Sequence, residues 1–347
     1  MSAPHPAILD YPHAQPPGPG LALPVAPRVS WLRMPLPFAL DHINLWLLAD
    51  DGGFTLIDCG YADDATRALW ERHFATTLRD RPLRRIVATH CHPDHLGNAT
   101  WLAGRFGCAV SMTHGEFLAA HAIIDERASH GPAETCALFR SHGMAGTDVD
   151  AMRARGNQYR RGVPEAPAGY DRLLPGSTVA AGGTAWQVII GHGHSSEHAS
   201  LFAPAHDVLV SGDMLLPKIS TNVSVWPSEP DGDPLGRFLD SLAAYEDLPP
   251  STLVLPSHGL PFRGIPLRIG QLRAHHDARL AELAEAVAAA REPVTAAQMV
   301  PVLFRRELDV QQRFFAMGEA IAHLNYLWRR DRVRRTLAAD GTLRFSA

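Results

Sequence analysis

Cysteine is scarce in this 347-residue chain, and Cys59, Cys91, Cys108 and Cys136 show no CxxC spacing. That excludes a zinc-ribbon framework and a disulfide-built fold, and leaves reduced thiols in a cytoplasmic protein as the expectation. The stretch MSAPHPAILDYPHAQPPGPG has neither a basic start nor an apolar run, so no signal peptide or membrane anchor is expected there. No later apolar run approaches the ~20 residues of a spanning helix. With a net charge of −4, the chain has none of the polycation character that grips nucleic-acid phosphates. No GxSxG elbow accompanies its His and Asp residues, which removes a serine nucleophile of that kind.

Histidine is what the chain has instead, 19 residues of it. An apolar fraction of 46% suffices for a sizeable core, and the length suggests one large domain with a smaller one appended. The densest cluster is THCHPDH, which puts His90, His92, Asp94 and His95 within six residues. Burying three imidazoles and a carboxylate side by side is costly unless they are paired or share a cation. Zinc or iron would resolve that cost.

Residues 1–27 carry eight prolines and are expected to form an extended surface arm or to be disordered. Strands are expected at 29–34, 42–48 and 54–58, the last two joined across the turn signal AlaAspAspGlyGly. A helix over 62–78 and a short buried strand at 85–88 follow, and that strand delivers THCHPDH at its carboxyl end. Helix 95–105 and strand 108–112 come next. The segment 114–168 is helix-prone but broken by Gly and Pro, as expected of a cap that shapes a pocket. Strands at 177–180, 185–190, 199–202, 207–210 and 252–255 make the second half, with a helix at 235–245. The chain beyond residue 262 reads as helices at 265–291, 296–304 and 319–330, then a hairpin over 332–345.

Four strand ends therefore present metal-type residues: His90, His92, Asp94 and His95; then His192, His194 and His198; then Asp213; then His258. Ligand sites collect at the carboxyl ends of strands, where loops stand on a rigid base. Four such loops point to one shared metal centre. Spacing alone does not choose among His192, His194 and His198. Cys91 lies between two ligand positions, but alternation turns it away, so it is expected to be buried and inert. His42, His114, His121, His130, His142, His275 and His276 are expected at the surface or in caps.

THCHPDH, GHSSEH, SGD and PSHG, in this order and preceded by LIDCG at 56–60, resemble the motif series of the metallo-β-lactamase superfamily over about residues 30–262. The resemblance implies an α+β fold, a four-layer αββα sandwich with the metal site at one edge, here spanning 28–263. It also implies two divalent ions, zinc first with iron or manganese as alternatives. His90, His92 and His194 would hold one ion and Asp94, His95 and His258 the second, with Asp213 bridging. The family form Gly-His-x-x-Gly-His selects His194 and makes His198 a supporting partner, although Glu197 stands where the second glycine belongs. Asp94 would orient a hydroxide and shuttle its proton, and Asp58 would support the ligands from behind. Such ions lower the pKa of water from ~16 to ~7.

The implied activity is hydrolysis of a carboxylic ester or thioester, of the acyl-CoA or glutathione kind, with a small acyl molecule as the partner. A single-strand endoribonuclease, a lactonase and a non-catalytic metal-binding scaffold are the alternatives. Lys218, Asn222 and Trp226, on the loop after Asp213, are candidate substrate contacts. Residues 264–347 resemble the small winged-helix-like tail of some superfamily members. Its basic run, Arg329 to Arg335, is expected to serve docking or homo-oligomerisation rather than nucleic acid.

Overall fold

The structure is a computed structural model, and it describes residues 8–347. The first sheet has seven strands in chain order: β1 (Leu23–Ala26), β2 (Val29–Pro35), β3 (His42–Asp50), β4 (Gly53–Ile57), β5 (Leu83–Val87), β6 (Ala109–Met112) and β7 (Asp171–Arg172). The second has five, β8 (Thr178–Ala181), β9 (Thr184–Gly191), β10 (His198–Ala203), β11 (Val208–Gly212) and β12 (Leu253–Pro256), with β12 at one edge and β8 at the other.

Period-two side-chain alternation sends each strand's residues to two different cores. Trp31 and Trp46, whose rings stack at 5.9 Å, meet Trp186, Val188, Leu201 and Leu255 between the sheets. Leu32, Met34, Leu45 and Leu47 face the other way, under α1 (Asp64–His73), α2 (Pro93–Leu96), α3 (Ala99–Phe106) and α4 (His114–Ile124). Because both faces of the first sheet are covered, β3 and β4 read as almost unbroken apolar runs. Helix α1 ends in a π-helical turn, Phe74–Leu78.

The insertion 114–168 divides between two cores. Helix α4 and the short α7 (Tyr159–Gly162) belong with the first sheet. Helices α5 (Pro132–Ser141) and α6 (Gly146–Ala154) instead contribute Phe139, Val149 and Met152 to the core of the C-terminal helices. That core also receives α8 (Pro234–Ser241) and α9 (Ala243–Glu246), outside the second sheet. The result is the expected four-layer α+β sandwich.

The C-terminal part consists of α10 (Ile265–Ala289), α11 (Ala296–Leu303), α12 (Val310–Trp328) and the hairpin β13 (Arg334–Leu337) and β14 (Leu343–Ser346). Ile265, Ile269, Leu272, Leu280, Leu283 and Val287 line the buried stripe of α10. Helix α12 begins nine residues before the expected Glu319, at an Asp309/Gln312 capping box. The basic run is partly neutralised: Arg330 pairs with Asp233 at 2.7 Å, Arg335 with Asp231 at 2.7 Å, and Arg329 donates to the Asp231 carbonyl at 2.8 Å.

Two expectations are corrected here. The proline-rich arm is not wholly peripheral: β1 pairs with β2, Leu9 is buried, and the Arg263 N–H donates to the Asp10 carbonyl at 2.8 Å. Residues 1–7 of that arm lie outside the described residues. His276 is neither at the surface nor in a cap but fully buried within α10, whereas His142, also buried, takes the expected capping place at the end of α5. Among the described residues no helix is long and apolar enough to cross a membrane.

Candidate metal centre

Strands β4, β5 and β6 run parallel, as do β11 and β12. Strands β9 and β11 both pair antiparallel with β10, so their carboxyl ends share one edge of the second sheet. The two sheets are stitched together at that edge. Asn44 N–H donates to the Ser257 carbonyl at 2.7 Å, and Ala199 N–H donates to the Thr89 carbonyl at 2.8 Å. The loops after β5, β9, β11 and β12 therefore converge.

They bring together all seven expected ligands. His90, His92 and His194 form one group able to hold a metal ion, His90, His95 and Asp213 a second, and Asp94, His95 and His258 a third. Asp213 lies between them: its Oδ1 is 3.6 Å from His95 Nε2 and 3.5 Å from His258 Nε2, and its Oδ2 is 3.3 Å from His194 Nε2. Asp94 Oδ2 sits 3.6 Å from His95 Nε2 and 3.4 Å from His258 Nε2. His90 and His95 are fully buried, while His92 and Asp94 keep an exposed edge.

The supporting hydrogen bonds fix which nitrogen of each ring is bare. His95 Nδ1 donates to Asp58 Oδ2 at 2.8 Å, His258 Nδ1 to the His42 carbonyl at 2.8 Å, and His194 Nδ1 to the Asn222 carbonyl at 2.8 Å. In each ring the proton sits on Nδ1 and the Nε2 lone pair faces the cluster. His90 Nε2 and His194 Nε2 approach to 3.2 Å, lone pair against lone pair, and the buried His95 Nε2 and Asp213 Oδ1 have no hydrogen-bond partner. Such an arrangement is unfavourable unless a cation occupies the gap, so these residues fit a metal. The donor set of imidazoles and carboxylates suits zinc, iron or manganese.

The electrostatics agree. Burial, reinforced by neighbouring imidazoles, pushes His90 and His92 well below the usual histidine range. At His95 burial opposes the charge, but Asp58, Asp94 and Asp213 outweigh it and push the ring up; at His258 burial is outweighed by Asp213 and Asp94. That half of the cluster attracts positive charge, which a metal ion supplies in place of a proton.

Asp58 takes the supporting place expected of it. Buried, with a left-handed backbone at φ 60°, it accepts from His95, from Thr89 N–H at 2.8 Å and from Thr89 Oγ at 3.0 Å. Asp58→Asn puts an amide NH2 against either the His95 Nδ1–H or the Thr89 N–H. The expected result is a 10- to 100-fold loss of metal affinity, read by cobalt titration; a wild-type dissociation constant would remove Asp58 from this role.

The structure separates the three histidines that spacing leaves open. His192 is exposed, its Nδ1 donating to the Ser196 carbonyl at 2.7 Å. His198 lies behind the ligands, accepting the Asp213 N–H on Nε2 at 3.0 Å, with burial holding it down at about 3. Gly212 makes room for that ring, because a Cβ there would collide with His198 Nε2. Cys91 is buried and turned away as expected, its carbonyl accepting the Tyr159 hydroxyl at 2.5 Å.

Lys218 is exposed at the tip of the loop after Asp213, beyond Pro217, which lies close to Gly259. Asn222 touches the centre through its backbone, as the acceptor for His194. Trp226 packs toward α12, 6.0 Å from the Phe314 ring. Two residues escape sequence reasoning. Thr89 Oγ contacts Asp58 and the Nδ1 atoms of His90 and His95, the latter two at 3.1 Å. Glu116, fully buried on α4, accepts the Cys91 N–H at 2.8 Å and the Glu197 N–H at 2.7 Å, so one carboxylate braces two ligand loops. Glu197, in the place of the family's glycine, answers by accepting the Gly115 N–H at 2.8 Å. Thr89 stands at the head of THCHPDH, whereas no local pattern marks Glu116.

Comparison with known proteins places this geometry. The family model described as "Metallo-beta-lactamase superfamily" matches residues 39–258, and "Metallo-beta-lactamase-like, C-terminal domain" matches 280–347. A beta-lactamase domain protein from Burkholderia ambifaria, solved by crystallography, is 46% identical over 97% of this chain and 98% of its own, with a TM-score of 0.90. A metallo-beta-lactamase family protein from Thermus thermophilus is 30% identical over 92% and 98%, with a TM-score of 0.77. A Bacillus subtilis (strain 168) protein named "Probable metallo-hydrolase YqjP" is 25% identical over 85% of this chain and 91% of its own. A sandwich with ligands at four strand ends, a matching family model over most of its length and these relatives together show that the chain belongs to the metallo-beta-lactamase superfamily.

Proposed function

We propose that the protein is a di-metal hydrolase, with zinc as the ion, that cleaves a carboxylic ester or thioester. The observation that carries this reading is the pair of ligand groups on either side of Asp213, with bare Nε2 atoms fixed by Asp58, His42 and Asn222. Two divalent cations held there would lower the pKa of water and polarise the carbonyl under attack. Asp94 keeps 18% of its side chain exposed, against 9% for Asp213. It is the carboxylate placed to accept the water's proton and return it to the leaving thiolate or alkoxide.

The surroundings support an acyl substrate. Phe38 and Leu40 are exposed on the loop between β2 and β3, and the Phe38 ring meets the edge of Tyr61 at 5.4 Å. That loop runs directly into His42, whose carbonyl orients His258. The loop after Asp213 carries exposed Ile219 and Lys218, the one lysine in the sequence. Exposed apolar side chains on both flanking loops suit an acyl group better than a polyanion. The pairing of Arg330 and Arg335 with aspartates also weighs against ribonuclease action.

The test is turnover by zinc-loaded protein across thioesters, simple esters, lactones, β-lactams and single-stranded RNA. Thioesters or esters are expected to turn over fastest. RNA cleavage without acyl hydrolysis would overturn the proposal.

A further inference from the structure

The loop from Asp213 to Trp226 does not hang free beside the metal centre. Its carbonyl at Asn222 orients His194, and the same stretch is fastened to α12 by several independent contacts. Val225 N–H donates to the Gly318 carbonyl at 3.1 Å. Asn222 Nδ2 donates to Glu319 Oε2 at 3.2 Å, and Ser224 Oγ donates back to Asn222 Oδ1 at 2.8 Å. Both ends of the Asn222 amide are thereby held. Gly318 permits the approach: a Cβ there would lie 2.7 Å from Ser224 Oγ and 2.8 Å from its Cβ.

Helix α12 is itself fixed. Its His323 Nδ1 donates to the Glu319 carbonyl at 2.9 Å, and His323 Nε2 accepts from His276 Nδ1 of α10 at 3.2 Å. Asn325 Nδ2 donates to the carbonyls of Pro230 and Gly232, both at 3.0 Å. A continuous chain of contacts thus runs from α10 through α12 and Asn222 to the ring of one candidate ligand.

We infer that Glu319, although it belongs to the C-terminal helices, is a positioning residue for the metal centre, setting His194 against His90 and His92 through Asn222. The C-terminal part is then a working part of the site rather than an appendage. Burial pushes the Glu319 carboxyl up to about 7, so near neutrality its charged and neutral forms are both populated. Glutamine, with the same acceptor oxygen, should therefore replace it well.

This inference rests on the metal reading of the site, and cobalt(II) titration tests the two separately. The readouts are the dissociation constant and the visible absorption spectrum of the bound ion, which reports ligand geometry directly. Glu319→Ala is expected to weaken cobalt binding 10- to 100-fold, the usual cost of losing a group behind a ligand, and to alter the spectrum. Glu319→Gln should stay within about threefold of wild type. Asn222→Ala, which keeps the backbone carbonyl, should reproduce the Glu319→Ala change, and the double variant should be no worse than either single one. If Glu319→Ala fails to fold, Asn222→Ala decides alone. Wild-type affinity and spectrum in folded Glu319→Ala or Asn222→Ala would overturn the inference, as would a glutamine variant as impaired as the alanine one. Failure of the wild-type protein to take up cobalt would take the metal reading down as well.

Discussion

Asp213→Ala should abolish turnover almost completely, by roughly 10²- to 10⁴-fold, with the fold intact. Burial opposes charge on this carboxylate, but His258 and His95 outweigh burial and hold it well below the usual range. It faces His95 and His258 through one oxygen and His194 through the other, so its loss weakens both ligand groups together. Metal centres contribute several kcal/mol of transition-state charge stabilisation, and ~1.4 kcal/mol is a factor of ten in rate, which gives the stated range. Metal content should fall in parallel, whereas Asp94→Ala, which removes a donor from one group only, is expected to lose less metal than Asp213→Ala while still losing rate. An Asp213→Ala protein with full metal content and more than a tenth of wild-type turnover would contradict the bridging assignment.

Most of the ligand set was legible because its chemistry is clustered in the chain, while the choice of His194 over His192 and His198 came from the resemblance to the superfamily. HxHxDH concentrates four donors in one loop, and the later His, Asp and His each follow a short apolar strand. Of what surrounds the ligands, Asp58 and His198 came with the resemblance; the rest was not legible, for physical reasons that differ from case to case. Asn222 works through its backbone carbonyl, which any residue would supply. Glu116 looks like any glutamate on a helix, and only the tertiary fold brings the Cys91 and Glu197 amides to its two oxygens. Glu319 becomes adjacent to the site only once α12 docks on the loop at Gly318.

The individual strands and helices followed from periodicity and the layers of the sandwich from the resemblance to the superfamily, and the boundaries that failed did so where local signals conflicted. The start of α12 was marked by Asp309 and Gln312, but a polar run before it and Gly318 inside it argued against helix. The same glycine that weakens the helix signal allows the close approach to Ser224. In the N-terminal arm, proline content argued for an exposed segment, yet Leu23–Ala26 needs only an edge position on β2, where a missing N–H is tolerated.

The buried histidines predict a second large effect, on stability in acid. His73, His142, His276 and His323 are fully buried and lie outside the ligand set. Burial holds His73, His142 and His323 down at about 4 and His276 at about 3, against 6.5 for a free side chain. Because the folded values lie below the unfolded one, the unfolded chain binds more protons in this window. Stability is therefore complete above pH ~6.5 and is lost as pH falls toward about 4. At ~1.4 kcal/mol per pKa unit, each ring withdraws roughly 3–5 kcal/mol. His276 and His323 share a hydrogen bond and titrate together, so the four do not add fully. Even so, the combined loss is comparable with the whole ~5–15 kcal/mol of a typical domain, and unfolding is expected between about pH 4 and 6. Metal release would act in the same range, and one variant separates the two causes. Neither ring nitrogen of His142 has a partner, and the ring stacks on Phe345 at 6.2 Å. His142→Phe therefore removes a proton acceptor without breaking a hydrogen bond. Urea midpoints should match wild type at pH ~7.5 and exceed it at pH ~5, by roughly 1–3 kcal/mol. Equal midpoints at both pH values would show that burial of His142 does not drive acid unfolding.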